Sequence, residues 1–419
     1  MKGKKADKKL KMVIAVSQAS TMVTLGRGQV AFFREHGFDV DVFAGEDWGT
    51  DSIINEGAEY FEVNFVRDLS PFEDVKTTWH LFKLFRRRKP DVVQLMTLKP
   101  CIFGALAGRI AGVPLIIRHK WGNMRECNYT GIKRFLLFSA DKMSNKLAHR
   151  VVVICHKLKE SEIKAGAVDE EKAVVYSSGS SNGLDLDRFK RTPELIEKGK
   201  KVKEKLGILP GAPVLGTVMR INIEKGIVEL IRAFQTLSEN RPNLCLIIIG
   251  DYDIRNLPGE DIIDEIKNNP RIYHVGFQAN TEDYYAAMDI FVMPSYREGF
   301  CKSNIEASGM ELPVVATDII GCSESVKDGV SGLLVQPRQS KPLANAIEKL
   351  LTDRELAKKL GKQGRERVET QFDQKFVWHS QLRDICELLK QKQIKPPVEP
   401  ELIGEKTCPL CDSKFSGDK

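Results

Sequence analysis

The feature that most constrains this chain is a regular alternation of short apolar runs with longer amphipathic segments. Runs such as "KMVIAVS", "FDVDVFAG", "DVVQLMT" and "VPLIIRH" have the length of strands. Segments of helical length separate them, for example "GRGQVAFFREHG" after the first run. Strand and helix in strict alternation predict a parallel sheet that is covered by helices on both faces. We therefore predict an α/β protein built from doubly wound, Rossmann-like sheets.

The alternation is interrupted once, by the polar stretch 177–213, and then starts again with "VLGTVMR". Small residues, a charged helix and the prolines at its end are typical of a linker between domains. A chain of 419 residues is also too long for one ordinary core. We predict two domains that face a cleft, followed by a closing helix and a polar tail; their bounds are 1–205, 206–373, 374–392 and 393–419.

Basic residues are concentrated in the first half of the chain. The formal net charge is +7, and residues 81–160 alone hold 17 basic against 4 acidic side chains. Such asymmetry indicates an anionic partner for the first domain, although a merely solvated basic face remains an alternative. No nucleic-acid-binding motif accompanies the charge, so nucleic acid is not expected as a partner.

The N-terminus resembles a secretory signal, because lysines precede an apolar run. That run, Met12 to Val16, is shorter than the roughly 7–15 residues that a cleavable signal requires. No apolar stretch approaches the roughly 20 residues that span a bilayer. We expect a cytoplasmic protein. Cys408 and Cys411 have the spacing of a metal-binding pair, but no second pair lies nearby, so we expect no metal site and no cofactor.

Two patterns suggest other functions. "GRGQVA" matches the dinucleotide-binding fingerprint, but Gly26 follows the end of the first predicted strand by ten residues, and the fingerprint must make that turn itself. Asp251 and Asp253 in "IIIGDYD" are spaced like a carboxylate pair that holds a divalent ion against a diphosphate. The two-domain organisation argues against the fold in which that pair occurs.

A third set of residues follows successive strands of the second domain. Arg220 and Lys225 stand at a strand-to-helix turn, where two cations and a helix N-terminus are suited to bind one phosphate group. Gly276 and Phe277 in "HVGFQ" end another strand, and their backbone groups are suited to contact a base edge. The glutamates at 298 and 306 flank the loop Gly-Phe-Cys-Lys-Ser-Asn.

With these residues in place, the chain resembles the retaining glycosyltransferases of family 4, which have the two-domain GT-B fold. The resemblance covers about residues 10–392 and is carried by "SYREGFCKSNIEASGMELPVVATDIIGCSESVKDGVSGLLV". The segment "GSSNGLDLDRF" is similar to the hinge signature of the branch that builds capsular and other cell-surface polysaccharides.

The resemblance implies a role for each residue. Glu306 would accept hydrogen bonds from the ribose hydroxyls, and Glu298 would face the hydroxyls of the donor sugar. Arg220 and Lys225 would bind the diphosphate and stabilise its developing charge. The remaining donor-binding residues implied around the sugar and the base are Gly299, Phe300, Cys301, Lys302, Ser303, Gly276 and Phe277.

The first half departs from the family pattern at two places. The family often has His-Gly after the strand that corresponds to "VPLIIRH", and its histidine touches the donor sugar; here the chain reads "RHKWGNMRE". His119 lies near that position, and we assign it the catalytic role. The glycine-rich loop that the family places near the N-terminus is reduced to Gly26 and Gly28. Gly26 is accordingly assigned to the donor site.

The leading hypothesis is a retaining, metal-independent hexosyltransferase that uses a UDP-sugar and a lipid-linked or growing polysaccharide acceptor. The alternatives are a GT-B sugar-nucleotide epimerase and a non-catalytic subunit that binds a sugar nucleotide. Two basic amphipathic segments, "TWHLFKLFRRRK" and "GIKRFLLFSADKMSNK", also predict peripheral contact with an anionic membrane surface, although their apolar residues would equally serve as core.

Overall fold

The computed structural model describes residues 9–66, 70–122 and 130–402. Contacts divide these residues into two compact units. Of the described residues, those up to Asn182 and those from Lys375 to Leu402 form unit 1, and Gly183–Gln374 forms unit 2. Both units are parallel sheets covered by helices, as the alternating sequence pattern predicts. Each unit is described by itself below.

Unit 1 contains a parallel sheet with the strand order β3-β2-β1-β4-β5-β6-β7 in the described residues. Its strands are β1 (Leu10–Gln18), β2 (Phe38–Gly45), β3 (Glu59–Glu62), β4 (Val92–Leu95), β5 (Leu115–Lys120), β6 (Arg150–Val153) and β7 (Ala173–Val174). The order reverses between β1 and β4, which gives the sheet a topological switch point.

Helices on both faces of this sheet produce two apolar cores. Because side chains alternate along a strand, Met12 and Ile14 of β1 enter one core while Val13 and Ala15 enter the other. The helices are α1 (Ser20–Leu25), α2 (Gln29–Glu35), α3 (Thr50–Asn55), α4 (Pro71–Arg88), α5 (Ala105–Ala111), α6 (Gly131–Leu147) and α7 (His156–Lys164). Short helical turns occupy Pro100–Gly104 and Glu170–Lys172.

Unit 2 repeats the arrangement with the strand order β10-β9-β8-β11-β12-β13. Its strands are β8 (Val214–Val218), β9 (Cys245–Ile249), β10 (Ile272–His274), β11 (Ile290–Met293), β12 (Val314–Thr317) and β13 (Gly332–Val335). Its helices are α8 (Pro193–Lys205), α9 (Ile227–Asn240), α10 (Glu260–Asn268), α11 (Glu282–Ala287), α12 (Lys302–Gly309), α13 (Ile320–Ser325), α14 (Ser340–Thr352) and α15 (Arg354–Gln371). The turn Ile223–Lys225 is a 3₁₀ helix.

The last long helix, α16 (Gln374–Gln391), returns the chain to unit 1. Its apolar side chains, among them Trp378 and Leu382, pack into the same core as Met12. The segment after it was predicted from composition to be a polar tail. Ile394 and Val398 nevertheless pack against that core, and a 3₁₀ turn covers Pro400–Leu402. Cys408 and Cys411 lie outside the described residues.

The contact-based division differs from the domain bounds expected from composition. Helix α8 was placed in the first domain, whereas the contacts place it in unit 2, where Gly199 lies directly against the backbone of Ala286 in α11. A separate finding concerns membranes. Among residues 9–66, 70–122 and 130–402, no helix combines the length and the apolar content that a membrane span requires.

Candidate functional site

The strand order of unit 2 reverses between β8 and β11, and the predicted cations and Glu298 follow these two strands. Arg220 and Lys225 come two and seven residues after the end of β8, and Glu298 comes five residues after the end of β11. In open parallel sheets, ligands bind at the carboxyl ends of the strands, next to such a switch point. The topology therefore brings together residues that are more than seventy positions apart in the sequence.

Lys225 is fixed by the turn in which it lies. The side chain of Asn222 accepts a hydrogen bond from the Lys225 amide at 2.9 Å and so caps the 3₁₀ turn. Gly226 follows with a φ of +73°, and a Cβ there would lie 2.0 Å from the Pro294 carbonyl oxygen. Only glycine fits this close approach between the β8 and β11 loops. The turn therefore directs Lys225 toward the loop that carries Glu298.

The Glu298 carboxylate lies between a cation and a hydroxyl group. Its Oε1 atom is 2.5 Å from Lys225 Nζ and accepts a hydrogen bond from Ser295 Oγ at 2.8 Å. The side chains of Lys225 and Glu298 are both largely buried, with 18% and 14% exposure. A cation and an anion are thus held side by side at the switch point. The contribution of Ser295 was not predicted from the sequence.

Arg220 has an unexpected partner. Its guanidinium donates to Asp253 Oδ2 at 2.7 Å, and Arg255 donates to both oxygens of the same carboxylate. The Arg255 guanidinium holds the pKa of Asp253 well below its usual value, so this carboxylate is ionised at any ordinary pH. Asp251, the other member of the proposed metal-binding pair, accepts a hydrogen bond from the Phe277 amide at 3.0 Å.

The loop between the two glutamates leads into α12. Phe300 and Cys301 are buried, and Cys301 is the residue before the first turn of the helix. Lys302 and Ser303 form that first turn, and Glu306 lies one turn further on the same helix. The Cys301 amide donates to the Gly321 carbonyl at 3.3 Å, which anchors the loop that joins Glu298 to the start of α12.

Glu306 is held by a tyrosine that the sequence analysis did not identify. Its Oε2 atom accepts a hydrogen bond from the Tyr285 hydroxyl at 3.0 Å, and Lys302 Nζ lies 3.6 Å from Oε1. Burial, and then the nearby Glu306 carboxylate, raise the pKa of Tyr285 well above its usual value, so its hydroxyl stays a donor. Tyr285 lies on α11 and looks like an ordinary core aromatic in the sequence.

Gly276 and Phe277 follow β10 at the same edge of the sheet. Gly276 has a φ of +68°, and its carbonyl accepts a hydrogen bond from Gly250 at 2.9 Å. The Phe277 ring is 49% exposed. The predicted site residues of unit 2 thus lie in the loops after β8, β10 and β11 and in α12, and the loop after β9 adds Asp253 as the partner of Arg220. Within the described residues, no group of three or more His, Cys, Asp or Glu side chains is arranged to hold a metal ion.

Two residues of the predicted site, Gly26 and His119, belong to unit 1. Gly26 ends α1, and its amide donates to the Met22 carbonyl. His119 is inside β5 with 4% exposure, on the sheet face that α16 covers. Its Nε2 atom is 2.9 Å from Gln94 Oε1, which also accepts a hydrogen bond from Gln381 of α16. The donor contact that the resemblance implies for His119 stays a prediction.

The buried His119 ring predicts a measurable pH dependence of stability. Burial lowers its pKa from 6.5 to about 3, so the folded state keeps the ring neutral while the unfolded chain takes up a proton below pH 6.5. Stability from this group is therefore fully present above pH 6.5 and is lost as the pH falls toward 3.

We expect the loss of unfolding free energy between pH 7 and pH 5 to be about 2 kcal/mol smaller in His119→Gln than in the wild type. Glutamine keeps a donor for Gln94 but does not titrate. Denaturant unfolding at several pH values measures the difference. Parallel curves for the two proteins would show that His119 does not titrate on unfolding.

Comparison with protein families gives two matches that together cover most of the chain. Residues 23–179 match the model described as "Glycosyl transferase 4-like domain", and residues 199–367 match the model described as "Glycosyl transferases group 1". The second match includes every residue of the candidate site in unit 2. The first match lies in unit 1 and includes Gly26 and His119.

Two curated relatives extend over most of the chain. The capsular polysaccharide biosynthesis glycosyltransferase CapM of Staphylococcus aureus is 30% identical over 89% of this chain and 95% of its own. The UDP-Gal:alpha-D-GlcNAc-diphosphoundecaprenol alpha-1,3-galactosyltransferase of Escherichia coli is 26% identical over 76% of this chain and 81% of its own.

Solved structures share the fold. A glycosyltransferase from Rickettsia africae superposes with a TM-score of 0.74 at 21% identity and covers 91% of this chain and 99% of its own. Anabaena Alr3699/HepE, solved in complex with UDP and glucose, gives a TM-score of 0.73 at 20% identity with the same coverage. At these identities the likeness concerns the fold, which agrees with the two predicted Rossmann-like sheets.

Proposed function

Because the chain belongs to the group 1 glycosyltransferases, we propose that it transfers a hexose from a UDP-sugar, with retention of configuration, to a lipid-linked or growing polysaccharide acceptor. The activity for which the E. coli relative is named supports the choice of a UDP-sugar and of a lipid-linked acceptor. The S. aureus relative supports a place in capsule-like polysaccharide synthesis. We assign the acceptor to unit 1 because of the basic excess in residues 81–160.

The observation that carries the proposal is the Lys225–Glu298 pair at the switch point, with its atoms 2.5 Å apart. In a nucleotide sugar the anionic diphosphate and the hydroxyl-rich sugar are adjacent groups. A cation beside a carboxylate matches that adjacency, because the ammonium group suits phosphate and the carboxylate accepts from sugar hydroxyls. Glu306 lies further along α12, where it accepts hydrogen bonds from the ribose.

Arg220 and Lys225 act on the leaving group in this proposal. Cleavage of the bond between the sugar and the diphosphate leaves additional negative charge on the phosphate oxygen. Fixed cations that meet this charge as it develops stabilise the transition state more than the ground state, and this difference accelerates the reaction. With retention, the leaving phosphate oxygen takes the proton of the acceptor hydroxyl on the same face of the sugar.

The same residues support a reaction without a metal ion. Two cations and the amides at the start of α12 already offset the diphosphate charge. The carboxylates of the Asp251–Asp253 pair are engaged, one with the Phe277 amide and the other with two guanidinium groups. A divalent ion would have to displace these contacts to bind there.

The proposed function is tested by incubating the protein with a panel of UDP-, GDP- and ADP-sugars and measuring nucleotide release, with and without EDTA. We expect slow hydrolysis of one or a few UDP-sugars, faster release with an acceptor, and no effect of EDTA. Conversion of the donor sugar without nucleotide release would indicate an epimerase. A metal-dependent reaction would be indicated if EDTA removed the activity, Mn²⁺ restored it, and the Asp251→Ala variant were inactive.

A peripheral contact of unit 1 with an anionic membrane is the second part of the proposal. On α4, Phe72 and Trp79 are 80% and 57% exposed; on α6, Phe135 and Leu136 are 69% and 57% exposed. Exposed lysines and arginines accompany them on both helices. Other apolar residues that the sequence pattern offered for lipid contact are buried in the core, namely Leu81, Leu84, Phe85 and Leu137.

The arginines of α4 also differ from one another. Arg88 donates to the buried Asp41 carboxylate at 2.7 Å and 2.8 Å, so it belongs to the fold. Arg86 and Arg87 are exposed. A basic residue near an anionic lipid surface contributes about 1 kcal/mol to binding, and the contribution weakens with salt. Arg86 and Arg87 are therefore the appropriate pair to change.

We expect binding to vesicles to increase with anionic lipid, to decrease with salt, and to fall roughly thirtyfold in Arg86→Ser/Arg87→Ser. Co-sedimentation measures the bound fraction. The matched control is Lys358→Ser/Lys359→Ser, which removes two exposed cations from α15 of unit 2 and should bind like the wild type. A wild type that stays in the supernatant at low salt would contradict the membrane contact.

A further inference from the structure

The partner of Arg220 is a carboxylate that is itself held in place. Asp253 has a side-chain exposure of 10%, whereas the two arginines that it binds are 57% and 51% exposed. Arg255 donates through Nε to Oδ1 at 2.9 Å and through its terminal nitrogen to Oδ2 at 2.8 Å. This bidentate geometry fixes the plane of the carboxylate and not only its position.

The backbone around Asp253 is joined to the segment that carries Arg220. Ile221 donates to the Asp251 carbonyl at 2.9 Å, and Asp253 donates to the Ile221 carbonyl at 3.0 Å. The Asn256 carbonyl then accepts from Ile223 at 3.1 Å. These bonds continue the pairing of β8 with β9 beyond the ends of both strands. The distance between the α-carbons of residues 220 and 253 is therefore set by the sheet.

The arrangement has a consequence for the charge at the site. Two guanidinium groups share one carboxylate, so the cluster keeps a net positive charge. Only one guanidinium nitrogen of Arg220 is engaged with Asp253, and more than half of its side chain is exposed. An exposed arginine without such an anchor samples many rotamers, and a catalytic cation must be held close to its productive position.

We propose that Asp253, oriented by Arg255, is a positioning residue that directs the Arg220 guanidinium toward the donor diphosphate. The inference rests on the function proposed above. It assigns Asp253 a role within a metal-free site, where the sequence pattern alone suggested a metal ligand. Asp253 does not itself touch the reacting atoms.

The test is a comparison of kcat and donor KM in wild type, Asp253→Ala, Arg220→Ala and the double variant. We expect Asp253→Ala to lower kcat about tenfold with less than about a threefold change in KM, because the cation is present but no longer oriented. In the Arg220→Ala background, loss of Asp253 should change kcat less than about twofold, since the residue that it positions is absent.

Further variants separate positioning from folding. Asp253→Asn preserves the shape of the side chain and still accepts from Arg220, so its loss of kcat should be smaller than that of Asp253→Ala. The control Asp264→Ala changes an exposed aspartate on α10 and should behave as wild type. Melting temperatures of all variants report on the fold. If Asp253→Ala does not fold, Asp253→Asn takes its place in the kinetic comparison.

Four results would overturn the inference. A tenfold loss of kcat in both backgrounds would mean that Asp253 acts on the fold. If Asp253→Ala keeps the wild-type kcat while Arg220→Ala loses much of it, Arg220 needs no positioning by this carboxylate. The same conclusion would follow if Asp253→Ala lowered the donor KM and left kcat unchanged. Full turnover in Arg220→Ala would overturn the diphosphate clamp itself and, with it, the role of Asp253.

Discussion

We expect the Arg220→Ala and Lys225→Ala variants each to turn over about a hundredfold more slowly than the wild type. Both cations follow β8 at the switch point of unit 2, and Lys225 is held 2.5 Å from Glu298. Removal of a fixed cation withdraws stabilisation from the leaving diphosphate in the transition state. The effect should therefore appear mainly in kcat, measured as the initial rate of nucleotide release at saturating donor.

The two variants carry different risks for the fold. Lys225→Ala leaves the largely buried Glu298 carboxylate with Ser295 but without its cation, so a lower melting temperature is expected. Arg220 is more than half exposed, and its replacement should not affect the melting temperature. The matched controls are Arg354→Ala and Lys358→Ala, two exposed cations on α15. Full turnover in both site variants would rule out the clamp.

The second large effect concerns the nucleotide. We expect Glu306→Ala to weaken binding of the donor nucleotide by roughly 1–3 kcal/mol, the scale of hydrogen bonds to a charged group. Tyr285 holds one oxygen of this carboxylate at 3.0 Å, so the orientation of Glu306 is fixed before the ribose binds. Isothermal titration calorimetry with the nucleoside diphosphate of the preferred donor measures the change.

Two variants sharpen this test. Tyr285→Phe removes the hydroxyl that orients Glu306 and keeps the ring, so it should weaken nucleotide binding by a smaller amount in the same direction. Glu366→Ala, an exposed glutamate on α15, is the control. If Glu306→Ala bound the nucleoside diphosphate as tightly as the wild type does, Glu306 would not bind the ribose. If the variant lost the same binding free energy with the nucleoside as with the nucleoside diphosphate, the assignment would be supported.

Most of the fold was predictable because a parallel sheet is encoded locally. The apolar runs that predicted strands coincide with β1, β2, β4 and β8, whose buried residues on both faces leave few polar positions. Strand β3 was not predicted. Its sequence, Glu-Tyr-Phe-Glu, lies at the sheet edge and is only partly buried, so it lacks the continuous apolar character of the central strands.

The candidate site was predictable to a lesser degree. Residues near strand ends were found because chain order places them at one sheet edge, as for Lys225 and Glu298. Their partners were not found, because Ser295, Tyr285 and Arg255 are brought to them by side-chain packing. For Asp253 the spacing suggested a metal ligand, while the structure gives it two arginine partners. Local sequence carries no information on which of two nearby charges a carboxylate will bind.

The central claim is that the two cations bind the diphosphate of the donor and Glu306 binds its ribose. Calorimetric titration of UDP and of uridine into the wild type and into Arg220→Ala/Lys225→Ala tests it most directly. We predict that the wild type binds UDP at least about a hundredfold more tightly than uridine, and that the double variant reduces this ratio to less than about threefold. A double variant that keeps the wild-type ratio would contradict the claim.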